Sequence, residues 1–210
     1  MNNAYKTTST INPCPDCPSG SEGGVGVSLS EKPTCPGNPV PNPQIAPQKG
    51  ASGIKGAMYG CTRFNSTKFC DGVKGIKEHN GIDLKSAFRN PIYAMYDGTA
   101  RLVTQFNKKG KVDGAGYYVE ITSNINGENV QILYFHLQES NRKKGFVKAG
   151  DIIGFQGDSG NLKRSIIKGE AESHLHIKAK VNNVKVDPKT YIATKFDPNT
   201  GQITKQPICN

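Results

Sequence analysis

The chain has no tryptophan, and aromatic residues make up only 8% of it. With 35% hydrophobic residues, the core it can build is not a rich one. No stretch approaches the roughly 20 apolar residues of a membrane helix, so no transmembrane segment is expected. The opening Met1-Asn2-Asn3-Ala4-Tyr5-Lys6 has no apolar h-region, so no cleavable signal peptide is expected. No aromatic stacking platform stands beside a basic run, which excludes nucleic acid as an expected partner. Cys14 and Cys17 have Cys-x-x-Cys spacing, but no second such pair exists to complete a zinc ribbon. Pro18 follows directly, so the pair does not open a helix as a redox motif does. Histidine is scarce, with four in 210 residues.

Against these absences stand 24 glycines and 13 prolines. They imply many turns and an all-β architecture. Nine prolines fall between Pro13 and Pro47 and interrupt any ladder or helix, so residues 1–50 read as an extended arm or linker. Residues 51–195 read as the folded domain and 196–210 as a polar tail, a length that suits one domain with an attachment. The net charge of +10 favours anionic partners, cell-wall polymers among them. Six cysteines, at positions 14, 17, 35, 61, 70 and 209, suit disulfides in an oxidising compartment. A Cys61–Cys70 bridge would close a loop just before His79 and shape one wall of a site.

Residues 50–78 read as a glycine-rich lead-in. Strand signals become regular after them. Pro91 to Tyr96 reads as a strand, Asp97-Gly98 as a tight turn and Thr99 to Phe106 as the next strand. Gly116 to Thr122 pairs through an Asn126-Gly127 hairpin turn with Asn129 to His136. Ile152 to Phe155 follows, and the clean alternation of His174 to Val181 closes the series. Residues 139–144 and 161–172 are expected to hold short helical turns.

Each of the four histidines falls in a segment that reads as a fragment of a metal site. His79 and Asp83 are four residues apart with Gly81 between them, and a divalent ion such as zinc accepts that ligand mixture. His174 and His176 are two apart on a strand and so share a face. His136 ends another strand. Three protein ligands with an open position make a catalytic rather than a structural site. Histidines left over can take up a proton or stabilise an oxyanion. Spacing alone does not say which histidine has which task.

Six segments, taken together, resemble the M23 family of zinc peptidases, the lysostaphin and LytM type of peptidoglycan endopeptidase. They are His79-Asn80-Gly81-Ile82-Asp83, the pair Pro91-Ile92-Tyr93 and Asp97-Gly98-Thr99-Ala100, Gly116 to Ile121, Leu133-Tyr134-Phe135-His136-Leu137, Val147 to Gly154, and His174-Leu175-His176. They stand in family order over residues 79–181. The resemblance implies a twisted antiparallel sheet with its site in a groove. It implies His79, Asp83 and His176 as zinc ligands, and His136 and His174 as the catalytic histidines that bind no metal. The implied activity is hydrolysis of peptide cross-links in bacterial peptidoglycan by a monomer acting outside the cytoplasm.

With no export signal in view, delivery into a rival's periplasm as an antibacterial effector is one expectation, which would call for an immunity protein. An inactive scaffold that binds the wall or activates an amidase is the alternative, and the five intact positions favour the enzyme. Two departures stand out. The stretch from Asn161 to Glu172 is longer than the family's usual turn, and Ser173 replaces the usual proline. This loop borders the groove, so the cross-link that is cut, a D-alanyl–diaminopimelate bond or a glycine bridge, is left open.

Overall fold

The computed structural model describes residues 35–208. In chain order these form β1 (Gly60–Cys70), β2 (Val73–His79), β3 (Ile82–Lys85), β4 (Pro91–Tyr93), β5 (Gly98–Phe106), β6 (Val112–Ile125) and β7 (Glu128–Leu137). There follow β8 (Gly145–Val147), β9 (Ile152–Phe155), α1 (Asn161–Ile167), β10 (His174–Val181), β11 (Val184–Val186), β12 (Lys195–Phe196) and β13 (Ile203–Lys205). The architecture is mainly β and antiparallel, as the turn-rich composition implies. No helix of the described residues is long and apolar enough to cross a membrane.

The central sheet has the order β11-β10-β7-β6-β5-β8, and β3 pairs with the first half of β10. Asn126 and Gly127 join β6 to β7 with φ of 54° and 86°, the two left-handed residues that a type I′ hairpin turn requires. Strand β10 shows why the sheet holds. Leu175, Ile177 and Ala179 alternate onto the inner face and are buried with Ile82, Leu84, Ile121, Ile132 and Tyr134. Full burial of each leucine or isoleucine stabilises the fold by about 1.5–3 kcal/mol. The residues between them, His174, His176 and Lys178, therefore face the other way, into a groove.

Part of the segment expected as an arm belongs to this core. Val40 and Ile45 are buried in it, and Ile45 bridges to Leu84. The Ala46 N–H donates to Asp83 O at 3.0 Å, and the Lys85 N–H to Gln44 O at 2.8 Å. This stretch lies on an edge, where Pro43 and Pro47 lose no ladder hydrogen bond.

Residues 60–78, part of the expected lead-in, form with His79 the β1–β2 hairpin, and the Cys61–Cys70 disulfide joins the two ends of β1. The expected tight turn at Asp97-Gly98 does not form a hairpin. Strand β4 pairs with β9, while β5 pairs with β6 and β8. Gly98 serves close approach instead, since a Cβ there would stand 2.4 Å from Thr122 O. The helical turn expected over 161–172 is α1, whereas 139–144 form no helix. Cys14, Cys17 and Cys209 lie outside the described residues.

Candidate metal centre in the groove

His79 is the last residue of β2, and the chain turns through Asn80 and Gly81 into β3, which carries Asp83. Gly81 is required by close packing, because a Cβ there would lie 2.4 Å from His176 Nε2 and 2.6 Å from Ile177 O. Strand β3 lies beside β10 in a register that pairs Asp83 with His176. The two sequence fragments, 93 residues apart, thus meet through one ladder.

His136 reaches the groove by a different device. Strict alternation would send its side chain to the core, because Phe135 already faces the groove. Between the Tyr117–Leu137 and Val119–Tyr134 pairs, β7 carries an extra residue, and His136 has φ of 64°. This bulge re-aims the imidazole, so Phe135 and His136 both line the groove. A left-handed non-glycine residue costs about 1–3 kcal/mol, a strain typical of functional positions.

Five side chains converge. His79 Nε2, Asp83 Oδ1 and His176 Nδ1 stand 3.1, 3.3 and 2.8 Å from one another. Ligand atoms around a tetrahedral ion with bonds of 2.0–2.1 Å are about 3.3 Å apart, so this trio fits zinc. All three residues are buried. His79 Nδ1 donates to Met58 O at 2.9 Å, which leaves the Nε2 lone pair facing the trio. His136 Nδ1 donates to Ser159 O at 2.9 Å and His174 Nδ1 to Glu172 O at 2.7 Å, so the Nε2 atoms of both are free for chemistry. The rings of His136 and His174 lie edge to face, 5.9 Å apart.

The electrostatics follow from this crowding. Burial alone would push the Asp83 carboxyl up. His174, His79 and the hydrogen bond from His176 outweigh it and hold the group well below the usual carboxylate range. Burial lowers His136 to about 4, with the charge of His174 adding to the effect. Burial lowers His176 to about 3 against the pull of Asp83. Neutral imidazoles beside an ionised carboxylate are the donor set that a divalent cation needs.

Two further residues hold the site, and no spacing motif announced them. Gln48 Nε2 donates to Asp83 Oδ2 at 2.7 Å. Arg63, on β1, is anchored through Nε to Gly56 O at 2.9 Å, and its Nη2 bonds Asp83 Oδ2 and lies 2.9 Å from His79 Nε2. A guanidinium thus shares His79 Nε2 with any metal that binds there, and holds the other oxygen of the Asp83 carboxylate. The groove has a volume of about 300 Å³, with the hairpin on one side and α1 with Ala171 on the other.

A family model, peptidase family M23, matches residues 77–188. The DD-carboxypeptidase/endopeptidase Mpg of Neisseria meningitidis serogroup B is 33% identical over 110 residues, 52% of this chain and 22% of that protein. The chain therefore spans about a fifth of the length of the curated relatives it matches. Among solved structures, the catalytic domain of the antimicrobial peptidase lysostaphin from Staphylococcus simulans is 26% identical, with 64% of this chain and 87% of that one covered and a TM-score of 0.45. A zinc-containing peptidase from Vibrio cholerae is 25% identical, with 75% and 40% covered and a TM-score of 0.46.

Proposed function

The chain belongs to peptidase family M23, and on that premise we propose that it is a zinc-dependent endopeptidase that hydrolyses peptide cross-links of bacterial peptidoglycan. The observation that carries this reading is the convergence of a His79–Asp83–His176 trio with two histidines whose Nε2 atoms are free. His79, Asp83 and His176 would hold the zinc. Bound there, the ion supplies a Lewis acid that polarises a carbonyl and makes water a nucleophile near neutral pH.

The rest is done by the chain's own side chains. His136, neutral down to about pH 4, accepts the proton of the attacking water at Nε2 and passes it to the leaving amine. His174 directs its Nε2 to the same place, 3.6 Å from Asp83 Oδ1, and in its doubly protonated imidazolium form, with Nδ1–H on Glu172 O, donates from Nε2 to the oxygen of the tetrahedral adduct. Met58, Ser159 and Glu172 carbonyls fix the tautomers and keep the rings from turning. The likeness to Mpg over half the chain and the net charge of +10 support a cell-wall substrate. The Cys61–Cys70 disulfide supports action outside the cytoplasm.

The test combines metal analysis with product analysis. The purified chain should hold one zinc per molecule and convert cross-linked muropeptide dimers to monomers. Zinc-loaded protein that leaves every dimer intact would sink the reading and favour a scaffold. Directed to the periplasm, the chain should lyse cells that tolerate it in the cytoplasm. Equal toxicity in both places would remove the proposed site of action.

A further inference from the structure

The groove continues beyond the metal trio along β10. His174, His176 and Lys178 share a face, so the Lys178 backbone lies one repeat, about 6.7 Å, past that of His176. An aromatic ring joins the two. Phe135 stacks on His176 with ring centres 5.2 Å apart and planes 17° apart, and Lys178 Nζ lies 5.3 Å from the Phe135 centre. Lys77, on β2, also lines the groove. The neighbouring carboxylate, Glu78, is bonded by Lys185 Nζ at 3.3 Å. Among the described residues neither Lys77 nor Lys178 has a carboxylate within ion-pair distance.

An ammonium half-removed from water, resting on a ring face and held by no ion pair, can take a carboxylate partner. Its place in the groove, one step from a metal ligand, is where a group next to the scissile bond would fall. We propose that Lys178, with Phe135 beneath it, determines specificity by taking a free carboxylate carried on the carbon bonded to the scissile nitrogen. This rests on the endopeptidase reading and deepens it.

A diaminopimelate residue that donates its side-chain amine to the cross-link carries such a carboxylate. So does the terminal D-alanine of an uncross-linked stem. A glycine bridge presents only neutral amides at the corresponding place and has nothing to offer Lys178. The chemistry selects the first two and rejects the third.

Four purified substrates separate these sources. They are a diaminopimelate-linked dimer with its carboxylate free, the same dimer with that carboxylate amidated, a stem ending in D-Ala-D-Ala, and a glycine-bridged dimer. For the zinc-loaded wild type, amidation should lower kcat/KM about 10- to 100-fold, the worth of one charge-assisted hydrogen bond. The glycine bridge should be cut no faster than the amidated dimer.

Lys178→Met should lose the same factor on the free-carboxylate dimer, mainly through KM, and lose nothing further on the amidated one. Lys178→Arg should retain most of the discrimination. The D-Ala-D-Ala stem tells whether a chain end is accepted as well as a cross-link, and the variants should act on it in the same sense. Equal rates for free and amidated dimers, or a Lys178→Met loss that falls equally on both, would overturn the assignment while leaving the peptidase intact. Failure of the zinc-loaded wild type on all four substrates would instead remove the endopeptidase reading on which it rests.

Discussion

On the floor of the groove, two of the three proposed ligands are held between fully buried neighbours: Leu175 and Ile177 flank His176, and Ile82 and Leu84 flank Asp83. The hairpin wall is built otherwise. Phe64 and Phe69 are 62% and 66% exposed, the β1–β2 register slips twice, and a disulfide ties the two ends of β1 together. Yet the wall supplies Arg63, the one residue among those bonded to Asp83 that carries a fixed positive charge. Packing places Asp83 and His176, and the hairpin, which packing holds weakly, places both His79 and the competing cation. The two can therefore be perturbed separately.

The largest separation is expected on the floor itself. Asp83→Ala removes a ligand and should abolish both zinc binding and cleavage. His136→Ala should lower kcat by about 10²–10⁴ and leave the zinc content unchanged. Atomic absorption read beside dimer cleavage distinguishes the two. Loss of zinc from His136→Ala would move that residue into the ligand set.

Acid should also act on the floor before the wall. His136 titrates at about 4 in the folded protein against an ordinary 6.5, so between these values the unfolded chain binds the extra proton. The stability from burying a neutral imidazole is complete above about pH 6.5 and is lost as the pH falls through 4. For metal-free protein, His136 alone accounts for a loss on the order of 3 kcal/mol over that window. Urea unfolding at pH 7 and pH 4 measures it. His136→Gln should shrink the difference, and an unchanged difference would mean that His136 is not the group responsible.

The same contrast explains what could be read from the sequence. His174 to Val181 alternates because one of its faces is core, so the strand, its inner residues and the shared face of His174 and His176 were all legible. His79 and Asp83 were legible as a pair, and the β3–β10 ladder that brings them to His176 is the kind of long-range pairing that local patterns do not encode. The bulge at His136 was hidden, since nothing in Tyr-Phe-His-Leu marks an extra residue. The hairpin was hidden for the opposite reason. Both of its faces are largely exposed, so β1 and β2 have no hydrophobic period to detect. Arg63, one of many basic residues in a chain of net charge +10, could not be told from a solvated cation until the fold placed it on Asp83.

Arg63 gives the smallest expected effect, and its sign decides what the wall does. Two influences oppose each other. By bonding Asp83 Oδ2, Arg63 orients the carboxylate, and losing such a partner commonly weakens metal binding 10- to 100-fold. By lying 2.9 Å from His79 Nε2, it also occupies the lone pair that a metal needs and sets a positive charge beside the ion. Gln48 tips the balance. Its Nε2 bonds the same Asp83 Oδ2 at 2.7 Å, so the carboxylate keeps an orienting partner when Arg63 is gone. Arg63→Met should therefore tighten zinc binding by about tenfold, and Gln48→Ala should weaken it by a similar factor. Competition against a chromophoric chelator at fixed pH reads both without reference to activity. Weaker binding in Arg63→Met would make the guanidinium a support for the ligands, and wall and floor would then be one device.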